Sequence, residues 1–252
     1  MKRFARLVFT LLSTTVPCMA QNNVDGFVAR VYKDQSQQAM PYRVFIPKGY
    51  DQSQKYPLVL WLHGAGSVGR DNLKQISSAS RPGTHIWTTP ENQAKHPAFV
   101  VAPQCPQNAG CWDDGRSNEP GPHLLLVLKI LDSLRTEFSI DSERIYVAGQ
   151  SMGGYGTWDL ITKRPDLFAA AVPLCGGGNA ALAAAIRKMP IWAFHGDADP
   201  TVPVEQSRTM IAAIKKAGGN PRYTEYKGVG HNVWERAFKE PGLVDWLFSQ
   251  RK

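Results

Sequence analysis

Cysteine is scarce in this chain, with four in 252 residues, at positions 18, 105, 111 and 175. They form no C-x-x-C pair and no Cys/His spacing of the zinc-binding kind, which removes small metal-stapled modules from consideration. The 22 glycines and 18 prolines follow no G-X-Y period, so a collagen-like rod is excluded. No unbroken apolar run approaches the roughly 20 residues that a membrane-crossing helix requires. The 29 basic residues outnumber the 21 acidic ones. Even so, Lys215-Lys216, Arg222, Lys227 and Arg251-Lys252 are scattered, without a stripe or interleaved aromatics, and nucleic-acid binding is not supported. What is present is apolar residue in quantity: 43% of the chain is hydrophobic, ample for a packed core and incompatible with general disorder.

The N-terminus has its own pattern. Lys2, Arg3 and Arg6 precede an apolar stretch centred on residues 7–12, broken by Thr10, Ser13, Thr14 and Thr15, and Pro17-Cys18-Met19-Ala20 leads into polar Gln21. This reads as a secretory signal peptide over 1–20, cleaved after Ala20, with a secreted or periplasmic mature protein and no membrane anchor. A lipoprotein attachment at Cys18 fits poorly, because Pro17 stands where a small residue is expected. Cleavage lowers the formal charge from +8 to +5 and leaves three cysteines. In an oxidising compartment Cys105 and Cys111, on either side of a short loop, can bridge or remain two free thiols, and spacing alone leaves both open. Cys175 is then unpaired and reads as a small buried apolar residue.

From residue 58 onward short apolar runs alternate with helical patterns. The runs 58–62, 99–102, 145–148, 169–174 and 191–195 end in Gly, Pro or polar residues and read as strands buried on both faces. Helical spacing marks 124–138, 152–163 and 204–217. The alternation predicts a mostly parallel α/β sheet with helices on both faces, led by an antiparallel pair over 24–32 and 42–46. No linker or repeat divides residues 21–252, which read as one catalytic domain. The stretches 64–98 and 103–122 carry no periodicity and follow strands, where such folds build their sites. Only 176–190 separates two later strands, too little for a lid domain.

Gly149-Gln150-Ser151-Met152-Gly153 matches G-x-S-x-G, and its setting matters more than the string. It follows strand-like Ile145-Tyr146-Val147-Ala148 and opens a helical segment, the strand, sharp turn and helix of a nucleophile elbow. The alternative is a serine that merely caps a helix. A hydroxyl is a weak nucleophile and needs a base oriented by a third group, with the partners following in the order acid, then histidine. His195-Gly196-Asp197-Ala198-Asp199-Pro200 follows one later strand, and Gly228-Val229-Gly230-His231 follows the next. His231 is the candidate base, and Asp197 and Asp199 compete for the acid. His63 and His195, at strand ends beside glycine, read as structural. His63-Gly64-Ala65-Gly66 is a small turn that suits an oxyanion site formed by the Ala65 and Met152 amides, and it lacks the lysine of a phosphate loop. Trp112 and Gln150 are candidate substrate-pocket residues, whereas Tyr155 and Trp234 read as core. No cofactor or metal is implied.

With these strings assembled the chain resembles secreted single-domain α/β-hydrolase esterases of the group often labelled predicted peptidase, related to feruloyl esterases and polyhydroxybutyrate-depolymerase-like esterases. The resemblance rests on Leu62 to Gly66, Val101 to Pro106, Gly149 to Trp158, Val172 to Gly178, His195 to Pro203 and Gly228 to Trp234. It implies the α/β-hydrolase fold and ester hydrolysis by Ser151, Asp199 and His231 on small-molecule or polysaccharide-linked esters. Many relatives carry an acid directly after the oxyanion turn, where this chain has Ser67, so the ordering role of that acid is open here. Peptide hydrolysis by the same residues and a non-catalytic binding protein are the alternative readings.

Overall fold

The structure, a computed structural model, describes residues 23–106, 111–112 and 119–252. The expected signal over 1–20 lies outside the described residues, as does much of 103–122. Nine strands form one sheet in the order β1-β2-β3-β5-β4-β6-β7-β8-β9. The strands are β1 (Asn23–Val24), β2 (Phe27–Lys33), β3 (Ala39–Phe45), β4 (Tyr56–Leu62), β5 (Phe99–Pro103), β6 (Ile140–Gln150), β7 (Ala170–Leu174), β8 (Trp192–Gly196) and β9 (Arg222–Tyr226). Strands β1 to β3 pair antiparallel with one another and with β5, and every pairing from β5 to β9 is parallel. This is the mostly parallel α/β sheet expected from the alternation of apolar runs, in the α/β-hydrolase architecture that the resemblance implies.

The alternation within β4 shows why the sheet must be covered twice. Leu58, Leu60 and Leu62 face a core shared with Leu124, Leu131, Trp158 and Ile211, whereas Val59 and Trp61 face one shared with Trp87, Leu243, Leu247 and Phe248. Helices α3 (Pro122–Glu137), α4 (Met152–Lys163) and α5 (Glu205–Lys216) lie on the first side. The second is closed by the short α1 (Arg81–His85), whose Gly83 packs on Trp61, with α6 (Trp234–Ala237) and α7 (Leu243–Phe248), while α2 (Pro90–Lys95) follows α1 without a buried residue. Burying each such aliphatic side chain stabilises by roughly 1.5–3 kcal/mol, so the two layers dominate folding.

Three details differ from the sequence reading. The expected strand over 24–32 is broken by a two-residue turn at Asp25-Gly26, where φ is 53° and 85°. An Asp-Gly pair with both φ positive gives the hairpin turn whose twist suits flanking strands, and β1 folds back on β2. The stretch 64–98 is not aperiodic loop but a series of 3-10 turns with α1 and α2, each too short to show a helical period. Strand β6 begins five residues earlier than the apolar run suggested, because Ile140 pairs with Tyr56 before a register shift. The stretch 176–190 carries a single 3-10 helix, Ala180–Ile186. Among the described residues no helix is long and apolar enough to cross a membrane.

Candidate active site

Parallel strands deliver their following loops to one edge, and four loops meet there. Ser151 follows β6 with φ 55° and ψ −119°, a backbone state costly for a residue with a side chain. Its amide donates to the Leu174 carbonyl at 3.0 Å, and its own carbonyl accepts the Tyr155 amide at 3.0 Å, so the turn is held from both sides. Glycine is required at 153 by contact rather than by dihedral: a Cβ there would lie 1.9 Å from the Leu62 carbonyl oxygen. Helix and strand therefore touch backbone to backbone, and the serine stands proud of the sheet edge.

The loops after β8 and β9 bring the other two groups. His231 Nε2 lies 2.8 Å from Ser151 Oγ, and His231 Nδ1 lies 2.7 Å from Asp199 Oδ2. Asp199 Oδ1 accepts the Thr201 and Val202 amides at 2.8 and 2.9 Å. The Asp199 side chain has no exposure and that of His231 has 22%. Burial alone would raise the Asp199 carboxyl, but the Val202 amide, His231 and the Thr201 amide outweigh it and hold the group below the ordinary carboxylate range. Asp197 has a different job: its Oδ1 accepts the Gly228 amide at 2.6 Å, its amide donates to Tyr226 O at 3.2 Å, and the Ala198 amide donates to Val229 O at 3.1 Å. Of the two aspartates, Asp199 is the one whose carboxylate meets His231.

Both remaining strand-end histidines are structural. The Cys105 amide donates to His63 Nε2 at 3.0 Å, so the ring proton sits on Nδ1 and is donated to Gly64 O at 2.7 Å. Burial pushes the His63 ring down to about 4, and it stays neutral near neutral pH. His195 is fully buried, its Nε2 3.0 Å from Val202 O and its Nδ1 2.7 Å from Ser207 Oγ. It braces the same turn whose amides hold Asp199, and burial lowers its pKa too.

The Ala65 and Met152 amides each open a helix, a 3-10 turn over Ala65–Ser67 and α4, so neither has an acceptor within its own helix. Leu62 pairs with Gly149 across β4 and β6, which sets Gly64 level with Ser151 and the turn beside the elbow. Ser67, in place of an acid, is fixed by other means: its Oγ meets Ser80 Oγ at 2.8 Å and its carbonyl accepts Gln104 Nε2 at 3.1 Å.

The expected pocket residues need correction. Trp112 has no exposure, and its indole N–H donates to His63 O at 2.9 Å, so it lies under the turn rather than on a pocket wall. Gln150 is 2% exposed and packed toward Gly64, in the interior rather than on an open pocket wall. Trp234, expected in the core, packs against it as a half-buried ring and also meets the His231 ring edge-on at 5.6 Å. Tyr155 is likewise half-buried. Cys105 and Cys111 form a disulfide and Cys175 is free and buried. Cys175, Asp199 and His231 bring possible metal-ligand atoms within 4.8 Å of one another, but Asp199 and both His231 nitrogens are already engaged in the hydrogen-bonded chain through Ser151.

Comparison with known proteins places this geometry in a lineage. The Esterase family model matches residues 34–207, a span that includes Ser151 and Asp199 and ends before His231. The Aspergillus terreus protein named "Probable feruloyl esterase C" is 28% identical over 178 residues, 71% of this chain and 62% of that protein. A Paucimonas lemoignei poly(3-hydroxyalkanoate) depolymerase C is 31% identical over 129 residues, 48% of this chain and 28% of its own length. A solved thermostable esterase superposes with a TM-score of 0.85 at 42% identity, covering 90% of this chain and 64% of its own. The chain thus spans under two thirds of the length of each of these proteins. Shared sequence over most of the domain, and the fold that carries it, lead to one conclusion: the chain belongs to the esterase family of α/β hydrolases, related to the feruloyl esterases and the poly(3-hydroxyalkanoate) depolymerases.

Proposed function

We propose that this protein is a serine carboxylesterase that hydrolyses small acyl or aryl esters, including those attached to plant polysaccharides. The observation that carries the reading is the unbroken hydrogen-bonded chain from Ser151 through His231 to Asp199, with the serine on a strained turn. Ser151 Oγ attacks the ester carbonyl while His231 Nε2 takes its proton. Asp199, buried and ionised, holds the Nδ1 proton in place and stabilises the imidazolium. The Ala65 and Met152 amides receive the charge that develops on the carbonyl oxygen, at the positive end of α4 for the latter. His231 then gives its proton to the leaving alkoxide, and water, activated by the same ring, releases the acyl group.

The mature protein is proposed to be residues 21–252, secreted or periplasmic after removal of 1–20. The name of the Aspergillus terreus relative directs the choice of aryl ester. A fluorophosphonate should label Ser151, and Ser151→Ala should be unlabelled and inactive. Turnover of p-nitrophenyl acetate, p-nitrophenyl butyrate and methyl ferulate should exceed that of short prolyl peptides; faster peptide cleavage would overturn the ester reading in favour of a peptidase. Absence of labelling would leave the chain as a binding protein on a hydrolase fold.

A further inference from the structure

One segment grips the turn over 63–69 at both ends. The Cys105 amide donates to the His63 ring at 3.0 Å, and the Cys105 carbonyl accepts the Gly69 amide at 2.9 Å. Between them Gln104 Nε2 reaches the Ser67 carbonyl at 3.1 Å. The disulfide ties Cys105 to Cys111, with Cα atoms 6.2 Å apart, and so fixes the neighbour of Cys111, Trp112. The Trp112 ring meets the His63 ring edge-on at 5.1 Å while its N–H donates to the His63 carbonyl at 2.9 Å. On its other side Trp112 fills space that only glycine leaves: a Cβ on Gly156 of α4 would come within 2.5 Å of the Trp112 Cβ.

Trp112 therefore touches His63, two residues before the proposed Ala65 donor, and Gly156 of the helix that opens at Met152. We infer that the Cys105–Cys111 disulfide and Trp112 act as positioning residues that set the spacing of those two amides, through His63 on one side and Gly156 on the other. The inference rests on the proposed roles of Ser151, Ala65 and Met152. A bridge across so short a loop constrains the unfolded chain least, so its effect should appear in turnover more than in global stability. Cys105, Cys111 and Trp112 are all buried, so the device acts through the residues it touches.

The test uses two variants of the full mature chain, Trp112→Phe, which keeps a ring and removes the N–H donor, and the Cys105→Ala/Cys111→Ala pair. Loss of a whole oxyanion donor costs about 10²–10³ in kcat, so a displaced donor should cost about tenfold. Expected in both variants is a fall of about tenfold in kcat for p-nitrophenyl acetate with KM within twofold. Affinity for a trifluoromethyl ketone, whose adduct places an oxyanion in the site, should fall in parallel. Wild-type kcat in either folded variant overturns the inference, as does a loss of kcat matched by a collapse of the thermal transition in Trp112→Phe. If the double variant does not fold, Trp112→Phe decides alone. Fluorophosphonate labelling of the wild type is read first: unlabelled Ser151 sinks the esterase reading itself, whereas labelled Ser151 with unaffected variants sinks only the positioning role.

Discussion

Asp199 and His231 meet through Oδ2 and Nδ1 at 2.7 Å, and the other carboxylate oxygen is occupied by two backbone amides. The carboxylate can therefore neither rotate toward solvent nor turn its second oxygen on the ring. Its orientation is fixed by the chain segment around Pro200 before any substrate arrives.

On the proposed mechanism Asp199→Asn leaves His231 in the wrong tautomer and should lower kcat by about 10⁴-fold, as loss of a triad carboxylate does. Asp197→Asn should cost far less, because that side chain meets the Gly228 amide and not His231. Steady-state rates with p-nitrophenyl acetate separate the two, and the reverse ranking would reassign the acid.

Stability should fall between pH 6.5 and pH 4, with the upper part of that window above the range where carboxylates protonate. The His63 ring is held down to about 4 in the folded chain by burial, whereas the unfolded ring takes a proton near its ordinary 6.5. The unfolded state binds more protons across that window, so this contribution is complete above it and lost as pH falls through it, on the order of 3 kcal/mol in all. His195 is shifted in the same direction and adds to the slope. Urea unfolding at pH 7 and pH 5 should show a smaller difference for His63→Gln than for the wild type.

Two glycines in the site should respond oppositely to alanine. At Gly153 a Cβ would lie 1.9 Å from the Leu62 carbonyl oxygen, whereas at Gly66 nothing lies within 4 Å. Gly153→Ala must separate α4 from β4 and should cost about 3 kcal/mol or more with loss of turnover. Gly66→Ala should leave both the thermal midpoint and kcat close to wild type. Differential scanning fluorimetry with a single ester assay reads both.

The proposed export makes a direct prediction about the N-terminus. Protein recovered from the medium or periplasm of an expressing bacterium should begin at Gln21, read by N-terminal sequencing or intact mass. A chain that begins at Met1 in that fraction would remove the proposed signal.

Much of the sheet is legible because parallel strands, buried on both faces, leave continuous apolar runs, and because the elbow, the acid loop and the histidine loop follow those runs in a fixed order. The helices α1, α2, α6 and α7 are not legible, being four to six residues long with no room for a helical period. On the residues alone Asp197 and Asp199 compete and the resemblance favours Asp199; the Thr201 and Val202 amides that orient its carboxylate depend on how the chain turns at Pro200, which the sequence does not display. Trp112 was misread for a similar reason. It stands in a polar stretch, and only the disulfide together with the gap at Gly156 carries it beneath the turn.

The bonds between the loops after β8 and β9 bear on how acid and base are held. Asp197 Oδ1 with the Gly228 amide, the Asp197 amide with Tyr226 O, and the Ala198 amide with Val229 O make one body of the segments that carry Asp199 and His231. Asp199 and His231 are thereby tied to each other through main chain as well as through their side chains. Cys175, whose Sγ–H donates to the His231 carbonyl at 3.7 Å, joins this body to the strand end whose Leu174 carbonyl holds the Ser151 amide.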